Sequence, residues 1–404
     1  MFQNDFPIFQ NHPDLVFLDS AASAQKPSHV IEGMRSYFEN SYANIHRGAY
    51  DLSMDSSMLY DTAKQKVASF LGAENRSEIV FTYNATYALN LIARSLIKSK
   101  MLQKGDIILL SKLDHHANIV PWQIIKDEYG VHIDWIDVDA NGALDYSSLE
   151  AKIPHAKLLA ITGASNVTGE ITDLNRVKDL LDTLPERPLF LVDASQLFPH
   201  MPVDVQALGI DFFVGTGHKV MSDTGIGFFY APKSLLREMN PAFCGGGAIN
   251  GVSIDEYLPA GLPFRHEPGT PHIAGAVSLL SALEYIENIG GYSTVGKYEN
   301  ELIAHAFSYC KNLPKGVRLI GCDENTRRVG VFSFVFDGHH PSDVAEFLAD
   351  ANICVRAGHH CAEPLHNAIG VGASLRMSLY IYNTKSDIDR FFEALSSFFD
   401  TFSL

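Results

Sequence analysis

An acid and an amine stand out first. Asp193 follows the apolar run Leu189–Val192 in "VDASQ", and Lys219 follows the run Phe212–Val214 in "VGTGHK". Runs this short and this apolar read as buried parallel strands. The 26 residues from acid to amine make about one strand–crossover–strand unit. Both groups would then emerge at one carboxyl edge of a sheet, where open α/β folds bind ligands. A lysine there can hold an aldehyde as a Schiff base, and a carboxylate can keep a pyridine nitrogen protonated. The pair therefore suits pyridoxal phosphate. A surface lysine and a helix-capping aspartate are the plainer alternative.

Further stretches could contribute to the same chemistry. "TYNATYALN" follows a strand-like segment and opens a helix, so Asn84, Ala85 and Thr86 would offer N–H groups and a hydroxyl to a phosphate. Ordinary helix capping would also explain Thr86. His115 and His116 lie just past the strand-like run Asp106–Leu110, where an imidazole could stack on a flat ring and move protons. One packed and one exposed ring is the alternative. Adjacent side chains diverge, which argues against a shared metal. Asn166 in "ASNVTGEI" can donate to a carboxylate or a phenolic oxygen, or simply serve a turn. Cys361 has Arg356, His359 and His360 within five residues, and cationic neighbours favour a thiolate. Alone, that motif reads as a reactive cysteine or a partial metal site. Arg376 carries a planar fork that suits a carboxylate bidentately, or a salt bridge.

These residues need a scaffold, and 404 residues suffice for two domains. From about Ser57 to Tyr230 helix-like and strand-like segments alternate. Helices are predicted at Ser57–Leu71, Thr86–Ile97 and Ile119–Tyr129. Strands are predicted at Glu78–Tyr83, Asp106–Leu110, His132–Val138, Lys157–Thr162 and Gly225–Ala231, besides the two runs named above. The pattern implies an α/β fold with a mostly parallel sheet flanked by helices. The Gly- and Pro-rich segment Cys244–Thr270 breaks it, and so long a loop is usually functional. Helices Ile273–Ile289 and Tyr292–Leu313 follow. A smaller α+β unit begins at Val329–Phe336 and ends in helix Lys385–Phe402. The expected organisation is an N-terminal arm over residues 1–20 packing with the small domain, a large domain over 21–285, and a small C-terminal domain over 286–404 that carries the cysteine loop.

Composition narrows the function. The chain is 46% hydrophobic with a net charge of −16, which argues against nucleic acid or an anionic membrane as partner. The first residues show no signal peptide, and no apolar run reaches the ~20 residues of a spanning helix, so a cytoplasmic protein is expected. Five cysteines without a CxxC pair suggest neither a disulfide framework nor a zinc cluster, and no metal is expected. Cys244, Cys310, Cys322 and Cys354 read as buried or incidental thiols.

Taken together, the motifs resemble those of the class V aminotransferase-like, fold-type-I pyridoxal phosphate enzymes, and among them the SUF-type, group II cysteine desulfurases. The likeness runs from "LDSAASAQKP" through "NIHRG", "HHANIVPWQ", "SNVTG", "DASQ", "TGHK", "TGIGF" and "EPGTP" to "RAGHHCA" and "YNT". It implies Lys219 as the Schiff-base lysine, Asp193 as the pyridinium partner, Gln196 as donor to the phenolic oxygen, and His116 as the ring-stacking acid/base. It implies a phosphate held by Thr86, Thr216 and His218, beside Ala85, with Thr270 reaching across from a second subunit. Asn166 and Arg376 would grip the carboxylate of L-cysteine. Cys361 would take its sulfur, with Arg356 beside it. The resemblance further implies a homodimer, with the segment around Arg47 at its interface, and a SUF-type sulfur-acceptor protein serving iron–sulfur cluster assembly. A selenocysteine lyase or a cysteine-sulfinate desulfinase would use the same scaffold, and a non-catalytic binding relative is the remaining alternative. Ala85, Tyr87, Gly163 and the Ser222–Asp223 pair depart from the family's usual residues.

Overall fold

Strands buried along their whole length form the centre of the molecule. The structure, a computed structural model, describes residues 2–46, 48–321, 324 and 326–402. Arg47 and Cys322 therefore lie outside the described residues. A short strand β1 (Val16–Phe17) leads in the arm. The main sheet uses β2 (Ile79–Thr82), β3 (Ile107–Ser111), β4 (His132–Ile136), β5 (Leu158–Thr162), β6 (Leu189–Asp193), β7 (Phe212–Thr216) and β8 (Gly227–Tyr230). Their spatial order is β2-β8-β7-β6-β5-β3-β4. Only β8 runs against the others, antiparallel to both β2 and β7. Every residue of β5 and of β7 is buried, as expected of strands covered by helices on both faces.

One face of this sheet packs against the helices Asp51–Phe70 and Ile273–Asn288. The other packs against Ala85–Lys98 and Val120–Tyr129. The helix expected from Ser57 begins six residues earlier. The six added residues include the exposed Leu52 and Met54, so an apolar stripe facing the core could not reveal them. The segment expected as a loop over Cys244–Thr270 contains a two-stranded ribbon, β9 (Ile249–Val252) with β10 (Tyr257–Pro259). Cys244, at the start of that segment, is exposed rather than buried.

A third core belongs to an antiparallel sheet. It contains β11 (Val317–Ile320), β12 (Val331–Phe336), β14 (Arg356–Gly358) and β15 (Ser374–Ser378) in the order β11-β12-β15-β14. Helices Gly291–Cys310, Pro341–Asp350 and Lys385–Thr401 cover it. The last helix opens with a capping box between Thr384 and Asp387, which satisfies donors on both sides of the helix start. The edge strand β13 (Ile353–Cys354) pairs in parallel with β1. The arm also buries Phe6 and Phe9 against Tyr285 and Tyr382 in the large core, so it touches both units. Residue 285 falls inside the helix Ile273–Asn288. The next helix gives Val295 to the large core and Leu302, Ala306 and Phe307 to the small one.

One buried ion pair fastens the "EPGTP" turn to this frame. Lys64 is fully buried and pairs with Glu267, whose side chain is 5% exposed. Glu267 also accepts from Phe81 N at 2.6 Å and from the Tyr60 hydroxyl at 3.0 Å. The Lys64 ammonium lies 5.1–5.2 Å from the ring centroids of Tyr60, Phe81 and Phe264, an arrangement that offsets part of its desolvation. Removing one partner strands a buried charge, which costs about 3–5 kcal/mol, whereas neutralising both costs far less. Lys64→Met should therefore lower unfolding free energy in urea by about that amount, and Lys64→Met with Glu267→Gln should recover most of it. A single variant as stable as wild type would contradict the pairing.

Candidate active site

Because β3, β5, β6 and β7 are mutually parallel, their last residues and the turns beyond them gather at one edge. A cavity lies there. Asp193 is the final residue of β6, and Lys219 ends a single 3-10 turn, Gly217–Lys219, that follows β7. Both line the cavity. The Asp193 Oδ1 atom accepts from Ser195 N at 3.0 Å and Ser195 Oγ at 2.6 Å, which fixes the carboxylate's plane. Burial pushes the Lys219 amine down to about 8, against the pull of Asp193 and with help from Arg376 and Arg356.

The floor continues with Gln196, Thr216, His218, Ala85 and Thr86. Gln196 donates one amide hydrogen to Ala21 O at 2.8 Å, tying it to the residue that follows the arm. Asn84 caps the helix Ala85–Lys98 by accepting from Tyr87 N, and the first N–H groups of that helix have no partners within it. Thr216 Oγ1 is buried without a hydrogen-bond partner among the described residues. Burial, aided by Lys219 and Lys26, pushes the His218 imidazole down to about 4, so that ring is neutral at pH 7. An amine, a fixed carboxylate, a helix N-terminus and an unanswered hydroxyl are the donor set that a phosphorylated pyridine aldehyde requires, and the residues present fit it.

The small unit supplies the opposite wall through Arg356, His360, Cys361 and Arg376. Arg376 is 2% exposed. It donates to Asp19 Oδ1 at 3.0 Å and Asn166 O at 3.1 Å, while its Nε has no partner among the described residues. Arg356 sits opposite Arg376 in the β14–β15 ladder. Asn166 donates to His360 O at 2.6 Å. His360 is itself held by Ser374, whose hydroxyl is also within 3.0 Å of His366 Nε2.

One sequence expectation needs correction. His116 does not line the cavity; His115 does. Consecutive side chains leave the backbone in different directions, and here the one-turn 3-10 helix starting at His116 aims the second ring away. His115 Nδ1 accepts from Ala117 N at 3.0 Å, so a neutral ring carries its hydrogen on Nε2. Burial, reinforced by Lys219, pushes that imidazole down to about 4. Thr270, expected to serve a second subunit's site, is exposed in the turn after Glu267 and is not part of this chain's own cavity lining. Ser195 and Asp19 were not anticipated. Ser195 had a local signal, since a serine two residues after an aspartate often bonds back to it. Asp19 had none, because its partner is 357 residues away.

The departures have local accommodations. Tyr87 packs edge-on to Tyr83 and stacks near Phe243. A side chain at Gly163 would start 2.8 Å from Leu197. Asp223 donates its N–H to Ser278 Oγ at 2.8 Å, a bond that proline could not make.

A lysine and a carboxylate at the carboxyl edge of a mostly parallel sheet, closed over by a cysteine and an arginine from a smaller sheet, define a fold-type-I α/β enzyme of the pyridoxal phosphate class. The family model "Aminotransferase class-V" matches residues 16–391, and the chain belongs to that family, among its cysteine desulfurases. It is 37% identical to a probable cysteine desulfurase of Synechocystis sp., over 99% of this chain and 96% of that one. It is 39% identical to the cysteine desulfurase of Yersinia pestis (strain Pestoides F), over 96% and 94%. Among solved structures, the apo cysteine desulfurase of Thermococcus onnurineus NA1 superposes with a TM-score of 0.93 at 34% identity, over 99% of this chain and 97% of the other. An Escherichia coli cysteine desulfurase in its S-sulfonic acid form gives 0.89 at 34%, over 99% and 98%.

The depressed Lys219 amine has a direct readout. In cofactor-free protein, competitive labelling with acetic anhydride should show Lys219 reactivity rising to a plateau through about pH 8, because only the neutral amine reacts. Exposed lysines should rise through about 10.4. Asp193→Asn removes the charge that favours the ammonium and should move the Lys219 midpoint lower. A midpoint at the ordinary lysine value would contradict the buried placement.

Proposed function

We propose that the protein is a cysteine desulfurase that converts L-cysteine to L-alanine and carries the sulfur on Cys361. One observation supports this reading above the rest: Cys361, from the small unit, lines the same cavity as Lys219, Asp193 and Arg376. A pyridoxal enzyme of another reaction type would not need a thiol there.

Lys219 would hold the cofactor's aldehyde carbon, Asp193 its ring nitrogen, Gln196 its phenolic oxygen, and Thr86, Thr216 and His218 its phosphate, with His115 rather than His116 beside the ring. When bound, the cofactor supplies an electron sink for a carbanion at the substrate's Cα. Arg376, with Asn166, orients the substrate carboxylate, and the unpartnered Arg376 Nε is a ready donor for it. Lys219 Nζ, released when the substrate's amine takes its place, would remove the Cα proton. The Cys361 thiolate then attacks the substrate Sγ: the S–S bond forms, the substrate Cβ–Sγ bond breaks, and that bond's electron pair stays with the carbon fragment. Protonation of the fragment gives alanine, and Cys361 is left as a persulfide. Arg356, exposed at the mouth, offsets negative charge on the sulfurs.

Assembly and destination belong to the same reading. Phe38, Tyr42, Leu52, Met54 and Met58 are exposed, and apolar exposure of this kind favours an interface. Thr270 is exposed and outside the lining of its own cavity, which agrees with a homodimer whose sites are shared. The "RAGHHCA" loop supports a SUF-type acceptor protein and a role in iron–sulfur cluster assembly. Unbridged Cys244, Cys310, Cys354 and Cys361 agree with a reducing, cytoplasmic setting. No helix among the described residues is long and apolar enough to cross a membrane.

Incubation with L-cysteine should yield alanine, and Cys361→Ala should lower that rate by at least about a hundredfold, a floor well below what losing a catalytic nucleophile can cost. Selenocysteine, whose selenium leaves more readily, should remain a substrate of the variant. Alanine production by Cys361→Ala at a rate near wild type would overturn the persulfide route.

A further inference from the structure

We propose that His116 is the positioning residue for Cys361, a clamp that joins the large sheet's edge to the cysteine loop. The proposal rests on reading Cys361 as the sulfur acceptor. The loop adopts a backbone that needs holding: His360 has φ of 53° and Cys361 has φ of 56°. Two consecutive non-glycine residues in the left-handed region are sterically unfavourable and persist only where their surroundings over-determine them.

His116 supplies much of that determination, and it does so twice. Its backbone N–H donates to Cys361 O at 2.7 Å. Its ring Nε2 accepts from Glu363 N at 3.0 Å. One residue thus grips the chain at the cysteine's own carbonyl and again two positions on. Glu363 begins the short helix Glu363–Ala368, whose first N–H groups find no acceptor within the helix. The acceptor comes instead from a turn 247 residues earlier. Accepting at Nε2 requires that nitrogen to be unprotonated, so a neutral ring carries its hydrogen on Nδ1.

The other anchors act at different atoms. Asn166 holds His360 O at 2.6 Å, and Ala362 N donates to His359 O at 2.9 Å. The first lies on the N-terminal side of the cysteine and the second is a local bond within the turn, so of these contacts only those of His116 tie the residues from Cys361 onward to the large sheet's edge. The dipeptide therefore divides its work: His115 faces the cavity while His116 faces the loop. In-line attack on the substrate sulfur is sensitive to the thiol's position, and a misplacement of about 1 Å can cost on the order of a hundredfold in rate. A clamp on the thiol should thus show in kcat, whereas a cap that merely stabilises the helix should not.

The test uses the cofactor-loaded protein and three variants. His116→Ala removes the ring acceptor. His116→Gln places a carbonyl oxygen where Nε2 stood. His116→Asn keeps a polar group too short to reach, and it carries the test should the alanine variant fail to fold. Hydrogen–deuterium exchange at the Glu363 amide is read alongside kcat and KM for L-cysteine. The alanine and asparagine variants should exchange the Glu363 amide at least about tenfold faster. Their kcat should fall roughly ten- to a hundredfold while KM stays within about twofold, and His116→Gln should restore most of both. Faster exchange with an intact kcat would reduce His116 to a helix cap and overturn the proposal, as would no change in either quantity. Wild-type protein that makes no alanine from cysteine would overturn the underlying reading instead, and the exchange measurement would still report on the bond.

Discussion

A guanidinium that is 2% exposed must have its charge answered, and answering Arg376 joins three parts of the chain. Asp19 in the arm, Asn166 beyond β5 and the strand β15 meet at that one side chain. Burial pushes Arg376 below its ordinary value, yet a guanidinium keeps its charge in any protein setting. The surrounding structure has to come to it. The pairing of β1 with β13 and the bridge from Asp19 to Ser378 are the backbone side of the same arrangement. Removing Asp19 would leave a buried cation without its carboxylate, the most expensive kind of deletion in a protein interior.

The main sheet does the complementary work. Six parallel strands deliver helix starts and strand ends to one edge, so groups distant in sequence converge without any local design. Within the cavity, burial keeps His115 and His218 neutral at pH 7. The standing positive charge then comes from Arg356 and Arg376, with Lys219 titrating at about 8. That distribution favours anionic ligands while leaving the lysine able to lose its proton, and both properties suit an amino-acid substrate held by its carboxylate.

Much of this was legible in the sequence, and the failures have physical reasons. The runs at β5, β6 and β7 are short, apolar and unbroken because helices cover both faces, so their existence could be read directly. The direction of β8 could not, since an apolar run such as Gly225–Ala231 carries no sense of orientation. The early turns of Asp51–Phe70 were hidden because Leu52 and Met54 are exposed. The ribbon β9–β10 was hidden because Gly and Pro dominate its surroundings. In the site, Asp193 and Lys219 were found from their place after strands, a local property. Choosing between His115 and His116 required the dihedral angles of one turn. Finding Asp19 required knowing that residues 357 apart meet. Non-local pairs of that kind leave no mark on periodicity or spacing.

The central claim is that the edge formed by β6 and β7 makes Lys219 the amine that holds the cofactor. Borohydride reduction of the protein after loading with pyridoxal phosphate, followed by peptide mapping, tests it most directly. The account predicts a phosphopyridoxyl group on Lys219 alone, with no stable label when Lys219→Ala is treated in the same way. Lys26 is the sharpest control, because burial also pushes its amine down to about 8. A label on Lys26 or elsewhere with Lys219 unmodified would contradict the account.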